Sequence, residues 1–138
     1  MINVRPANKA DFPQIMHILK EQDLFYSTLS MDNFIIAENE HEIAGIVKLE
    51  DYPDYLFISS VGVATKYQHQ GIASILLNSV LDKTNKDCYL YTIIPDFFAK
   101  IGFKITPSFP DNLPSKARYE CITCVSENCV VMVKQHAA

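Results

Sequence analysis

The stretch that decides the fold is YQHQGIASILL, residues 67–77, where one glycine separates a polar run from an apolar helical pattern. The chain has only 4 glycines in 138 residues, so the position of Gly71 is informative. A helix start carries free N–H groups and a partial positive charge, and a glycine before it lets the backbone approach a phosphate closely. From the glycine alone, a plain turn between a strand and a helix explains the pattern equally well.

The sequence on either side of this stretch predicts a strand, a loop and a helix. Residues 55–63, YLFISSVGV, are rich in β-branched and aromatic residues and predict a strand. Apolar residues in the range 72–81 recur at spacings of three and four, which predicts a helix with a broad buried face. Gly71 therefore lies at a helix N-terminus that follows a strand.

The rest of the chain predicts further strands and helices around this unit. A helix over residues 11–22 is expected to start with Asp11 as its cap, with Gln14 reaching back to the cap. Gly102 is expected to end a short helix over residues 96–101. Strands are predicted at residues 2–7, 34–37, 43–49, 88–93 and 103–105, and a last, edge strand at 130–133. This order predicts a mixed α/β (α+β) fold with a central sheet covered by helices.

Composition and charge narrow the class of protein. With 49% hydrophobic and 20% charged residues, 138 residues predict a single globular domain. No apolar run reaches about 18 residues and the N-terminus lacks a secretion-signal pattern, so we expect no membrane partner and a cytoplasmic setting. The net charge of −4 argues against nucleic acid as a partner.

Two motifs resemble a known family when they are considered together. Q-x-x-G-x-A at residues 68–73, after the strand end V-G-V at 61–63, resembles the pyrophosphate-binding motif of the GNAT family of acyl-CoA N-acyltransferases. FFAKIGF at residues 97–103 resembles the aromatic-aromatic-x-x-x-Gly-Phe element of that family, one helix and one strand downstream. The resemblance covers roughly residues 2–105. FFAKIGF with Leu113-Pro114-x-Lys116 and the later cysteines also resembles the small N-acetylglutamate synthase-like branch.

The resemblance implies a fold and an activity. It implies one acyl-CoA N-acyltransferase-like domain over residues 1–138, with a cysteine-containing C-terminal segment at 107–138. The sheet would be mostly antiparallel and splayed where acetyl-CoA, the co-substrate, binds. A primary amine of a small molecule or amino acid would attack the thioester directly in a ternary complex, and the protein would be a monomer or a homodimer.

The same resemblance assigns cofactor-binding residues to the two motifs. For His69, the alternative to contact with a phosphate of coenzyme A is an ordinary solvated position in the loop. The implied residues are Val61, Gly62, Val63, Gln68, His69, Gln70, Gly71, Ile72, Ala73, Ser74 and Phe98.

The chain departs from the family at the two positions that usually move protons. Phe57 stands where many members have a glutamate, and Phe98 stands where many have a tyrosine. Neither side chain can transfer a proton. The alternative function is therefore a catalytically weak regulatory module that binds acyl-CoA.

Other side chains are candidates for the missing roles. Ser59 follows Phe57 by two residues and is expected on the same face of its strand. Each candidate has the alternative of a hydrogen-bonding or packing role, and proximity with water as the proton acceptor is a further alternative. The candidates are Ser59, Tyr91, Thr92, Lys116 and Tyr119.

A cysteine cluster near the C-terminus has spacing found in metal sites. Cys121, Cys124 and Cys129 supply three thiols, whereas a closed zinc site needs four ligands. His136, Glu127, Cys88 or a partner chain would have to complete the set. The alternatives are a hairpin with small apolar thiols and a redox-labile pair. Because the fourth ligand is missing, the sequence favours no metal over zinc.

Overall fold

The computed structural model describes residues 2–115 and 129–136, which form one sheet flanked by helices. The strands are β1 (Ile2–Pro6), β2 (Phe34–Asn39), β3 (Glu42–Asp51), β4 (Tyr55–Val63), β5 (Asp87–Thr92), β6 (Lys104–Ile105) and β7 (Val130–Lys134). The helices are α1 (Phe12–Glu21), α2 (Ile72–Asp82) and α3 (Pro95–Ala99).

The sheet is mixed and mostly antiparallel, as predicted. Its strand order is β1-β2-β3-β4-β5-β7-β6, and β4 and β5 form a parallel pair. That pairing runs only from Tyr55↔Asp87 to Phe57↔Tyr89, although β4 continues to Val63 and β5 to Thr92. The two central strands therefore separate beyond Phe57, and the predicted splay is present.

The prediction that residues 130–133 form an edge strand was wrong. β7 lies between β5 and β6, and β6, with two residues, is the edge. Val131, Met132 and Val133 are all buried, so both faces of β7 are covered. A continuous apolar run rather than an alternating one is typical of such an interior strand.

Asp11 is the N-cap residue of α1, as predicted, but its side chain makes no capping hydrogen bond to that helix. The capping box lies one turn earlier, where the Asp11 carboxylate accepts a bond from the Asn8 amide and Asn8 accepts one from Ala10. The Gln14 side chain accepts a hydrogen bond from the Ile43 backbone amide at 2.9 Å, outside its own helix. A tertiary partner on β3 replaces the local contact that the sequence suggested.

The two faces of the sheet carry separate hydrophobic clusters. Ile15 and Leu19 of α1 pack with Ile46, whereas Leu76 and Leu77 of α2 pack on the other face. Position 62 has no room for a side chain, because a Cβ added to Gly62 would lie 2.8 Å from the Leu24 Cδ1 atom. Within the described part of the chain, the helices fall short of the length and apolarity that crossing a membrane requires.

Candidate active site

A groove opens where β4 and β5 part. It consists of two adjoining cavities of about 450 and 430 Å³. Described residues common to both cavities are Gln22, Leu24, Val61, Ile94 and Phe98. We call the cavity next to residues 67–74 the loop end, and the cavity that contains Phe57 and Tyr91 the aromatic end.

The loop end is formed by the N-terminus of α2. Gly71 is its N-cap with φ of +79°, and α2 has no side-chain cap. His69 also has a positive φ, +65°, and is exposed. A Cβ added at Gly71 would meet nothing within 4 Å. The left-handed backbone conformation favours glycine at this position, which agrees with the turn interpretation. The space next to Gly71 is also open, which leaves room for a ligand.

The loop is held against the end of α1 by side-chain amides. Gln68 Nε2 donates to Gln22 Oε1 at 2.9 Å and to the Val63 carbonyl at 3.2 Å. The Thr65 amide donates to Glu21 Oε1 at 2.9 Å, which holds the pKa of the Glu21 carboxyl below its usual value. Gln22 was not among the predicted site residues, because nothing local links the end of α1 with a loop more than 40 residues later.

The other predicted loop-end residues line the same cavity, with the exception of Gln70. Ile72 is buried and packs into the core with the α2 face, while the exposed Gln70 donates to the Lys66 carbonyl at 3.3 Å. The loop-end cavity is lined by, among others, Val61, Gly62, Val63, Gln68, His69, Gly71, Ile72, Ala73, Ser74 and Phe98.

A bulge in β4 shapes the middle of the groove. Ser60 pairs with Lys48 and Ile58 with Leu49, so Ser59 is an extra residue. Strict alternation along β4, on which the prediction for Ser59 rests, ends at this bulge. Both Ser59 and Ser60 line the aromatic end, and Ser59 Oγ lies 3.5 Å from the Lys48 carbonyl oxygen.

The aromatic end has Phe57 as its floor. Phe57 is 1% exposed, and its ring meets that of Tyr91 edge to face at 5.3 Å. The Tyr91 hydroxyl donates to the Pro114 carbonyl, and Tyr55 donates to the Asn112 carbonyl at 3.1 Å. Burial raises the pKa of Tyr91. Residues 112–114 are thus anchored beside this end by two tyrosine hydroxyls.

The predicted hydroxyl candidates that are described lie together at the aromatic end. Ser59, Tyr91 and Thr92 all line it. Thr92 Oγ1 accepts a bond from the Ile94 amide at 2.9 Å, which fixes the end of β5. Lys116 and Tyr119 lie outside the described residues.

Phe98 connects the two ends of the groove. It is buried, lines both cavities and packs edge to face with Phe97 and Phe103. The resemblance implies that Phe98 binds the cofactor, and this role stays a prediction.

A buried lysine positions the loop that joins α1 to β2. Lys48 is 4% exposed, and its ammonium donates to the Ser30 carbonyl at 3.0 Å, to Ser30 Oγ at 3.2 Å and to the Asp32 carbonyl. The ammonium also lies 4.9 Å from the centre of the Phe34 ring. The same loop carries Tyr26, which lines the aromatic end. The sequence shows this lysine within an apolar strand but gives no sign of its partners.

The cysteines give no metal site among the residues described. Residues 2–115 and 129–136 contain no group of three or more His, Cys, Asp or Glu side chains arranged to hold a metal ion. Cys129 is buried and lines the aromatic end, whereas Cys121 and Cys124 lie outside the described residues. Burial raises the pKa of Cys88 to about 11, so Cys88 is a thiol at neutral pH.

Comparison with solved structures shows the same fold in acetyltransferases. N-acetylglutamate synthase from Neisseria gonorrhoeae, complexed with coenzyme A and N-acetyl-glutamate, matches with a TM-score of 0.76 and 22% identity over 100% of this chain. The chain covers only 36% of that protein. The ribosomal-protein-S18-alanine N-acetyltransferase from Escherichia coli matches with a TM-score of 0.75 and 14% identity, covering 100% of this chain and 96% of that one.

A third structure binds a diamine-bearing amino acid. Diaminobutyrate acetyltransferase from Paenibacillus lautus, in complex with L-2,4-diaminobutyric acid and coenzyme A, matches with a TM-score of 0.68 and 15% identity, covering 99% of this chain and 95% of that one. At these identities the likeness establishes the fold alone.

Sequence comparison supplies the family. No curated protein matches the chain. A family model described as an acetyltransferase (GNAT) domain matches residues 30–105, more than half of the chain and including both motifs. The family expected from the two motifs is thereby confirmed, and this chain belongs to the GNAT family of acetyltransferases.

Proposed function

We propose that the chain is an N-acetyltransferase that moves an acetyl group from acetyl-CoA to a primary amine of a small molecule or amino acid. The observation that carries the proposal is the separation of β4 from β5 beyond Phe57↔Tyr89, with the N-terminus of α2 at one end of the resulting groove. Similar folds are complexed with coenzyme A in several acetyltransferases, which supports this choice of cofactor.

The coenzyme would lie along the groove from the loop end. Its diphosphate would bind the N–H groups of the loop and of the first turn of α2, where the helix dipole favours an anion. Its pantetheine arm would run along the main chain of Val61, Gly62 and Val63, with Phe98 against it. The diphosphate would be held by main-chain and side-chain donors of Gln68, His69, Gln70, Gly71, Ile72, Ala73 and Ser74.

The reaction needs a neutral amine next to the thioester. The amine nitrogen would attack the carbonyl carbon, the C–S bond would break, and the thiolate would take a proton while the amine loses one. The buried Phe57 ring would lower the pKa of a bound ammonium by removing water from it. Desolvation and positioning would then serve in place of the glutamate that many family members have.

Hydroxyls at the aromatic end remain candidates for the proton transfers. Ser59 and Thr92 lie at that end, and Tyr91 already donates to the Pro114 carbonyl. Lys116 and Tyr119 stay candidates on the basis of the sequence alone. The developing oxyanion would be stabilised by main-chain donors where the two strands separate.

The second candidate function is a regulatory module that binds acyl-CoA without turnover. Phe57 and Phe98, at the positions where proton-transferring residues are usual, favour it. Calorimetry with coenzyme A, followed by an assay of thiol release from acetyl-CoA with a panel of amines that includes glutamate, separates the two. Binding with release supports the transferase, binding without release for every amine supports the regulator, and no binding rejects both.

A further inference from the structure

We propose that the acceptor amine has an uncharged apolar body, alkyl or aryl, that packs against the Phe57–Tyr91 pair at the aromatic end. The inference rests on the proposed function and names the class of its second substrate. An amine whose remaining groups are carboxylates is disfavoured.

The side chains at the aromatic end are the first reason. Phe57 and Tyr26 are buried, and the Tyr91 ring, which also lines this end, packs edge to face against Phe57. Such surfaces bind apolar groups because contact with them removes water from both partners. Other apolar residues that line this end include Leu24, Ile58, Leu90, Ile93 and Ile94.

The size of the cavity is the second reason. Its volume is about 450 Å³, whereas a dry apolar cavity of roughly 150 Å³ is enough to hold a benzene ring. The cavity therefore has room for a ring or a short alkyl chain in addition to the end of the coenzyme. A short polar amine would leave the exposed side chains of Ile93 and Ile94 at this end in contact with water.

The charges are the third reason. Among residues 2–115 and 129–136, Asp23 is the charged residue that lines this end, and it lies at the exposed mouth. The buried ammonium of Lys48 is directed at the loop carbonyls of Ser30 and Asp32. The chain carries a net charge of −4. This arrangement attracts a cationic amine and repels a dicarboxylate.

The test is equilibrium binding of amines to the protein saturated with coenzyme A. Each buried methylene is worth about 0.8 kcal/mol, or about fourfold in Kd. We expect hexylamine to bind about fifteenfold more tightly than butylamine, and phenethylamine to bind at least about tenfold more tightly than phenylalanine. Glutamate binding as tightly as hexylamine, or affinities independent of chain length, would overturn the proposal.

A variant pair connects the effect to the floor of the groove. Phe57→Leu should reduce the preference for phenethylamine over butylamine by about tenfold while the affinity for coenzyme A is kept. Phe109→Leu is the matched control, because Phe109 is 45% exposed and does not line either cavity. An equal loss of preference in both variants, or none in Phe57→Leu, would contradict the assignment.

A second experiment tests whether the amine or the acyl group occupies the aromatic end. Acetyl-, butyryl- and hexanoyl-CoA should differ by less than about twofold in Kd if the amine occupies it. A steep gain along this series, with none along the amine series, would assign the cavity to the acyl chain and overturn the proposal. Because amine binding is measured at equilibrium, failure here is distinct from absent coenzyme binding or absent thiol release, which would reject the proposed function.

Discussion

The loop end and the aromatic end of the groove are built from different parts of the chain. The loop end depends on main-chain conformation, with positive φ at His69 and Gly71 and an uncapped α2. The aromatic end depends on side chains, with Phe57 and Tyr91 as its floor and Lys48 holding the nearby loop. Substitutions should therefore act on one end through backbone strain and on the other through lost packing.

The largest effect is expected at the floor of the aromatic end. Phe57→Ala should lower the free energy of unfolding by about 3–5 kcal/mol, because the ring is 1% exposed and its removal leaves a cavity. Urea denaturation measures the loss. In the fraction that stays folded, coenzyme A affinity should change by less than about twofold, because Phe57 does not line the loop end. Equal losses of coenzyme and amine affinity would break the distinction between the two ends.

A smaller effect is expected from the buried lysine. Lys48→Met should lower the free energy of unfolding by about 1–3 kcal/mol, because the carbonyls of Ser30 and Asp32 lose their donor. The KM for the amine should rise more than the Kd for coenzyme A, since Tyr26 of the α1–β2 loop lines the aromatic end alone, whereas Gln22 and Leu24 line both ends. Lys83→Met is the control at an exposed position, and its free energy of unfolding should stay within about 0.5 kcal/mol of the wild-type value. A stability loss with an unchanged KM would leave Lys48 a purely structural role.

The loop end should respond chiefly in coenzyme affinity. Gly71→Val should cost about 1–2 kcal/mol of stability, because a β-branched residue is strained at φ of +79°. Coenzyme A should bind about tenfold more weakly or worse, measured by calorimetry. Gly71→Asn separates two causes, because asparagine tolerates this conformation but still adds a side chain over the loop. Wild-type coenzyme affinity in Gly71→Val would contradict the assignment of this loop.

The smallest effect is expected far from both ends, at the carboxylates bound by Arg5, where a variant should differ from the wild type above about pH 4.5 and converge with it in acid. Arg5 donates to the Asp11 and Glu38 carboxylates and holds the pKa of both below their usual values of 3.8 and 4.5. Their contribution to stability is therefore present above about pH 4.5 and is lost as the pH falls through the lowered values. Asp11→Asn should flatten thermal stability across this acid range and leave coenzyme affinity at neutral pH unchanged. Acid profiles that run parallel in variant and wild type would contradict this reading.

The fold and the loop end were predictable because their signals are local. The spacing of Gln68, Gly71 and Ala73 predicts a turn followed by a helix N-terminus, and this conformation forms within a few residues. The position of β7 was mispredicted because strand order depends on non-local pairing, although its unbroken apolar run is typical of an interior strand. The bulge at Ser59 had no local signal, since it arises from the register between β3 and β4.

The sequence by itself determined the family, because its two motifs resemble those of known members and a family model matches residues 30–105. It also determined the strand-loop-helix unit and the glycine at the start of α2, because these follow from short-range periodicity and backbone preference. Only the tertiary structure decided what the groove contains. Tyr91 packs against Phe57 and donates to the Pro114 carbonyl, although the three residues come from separate segments. Lys48 binds carbonyls of the loop that carries Tyr26. The physical reason is that a main-chain anion site can be encoded by adjacent residues, whereas an apolar pocket requires side chains brought together by the whole sheet.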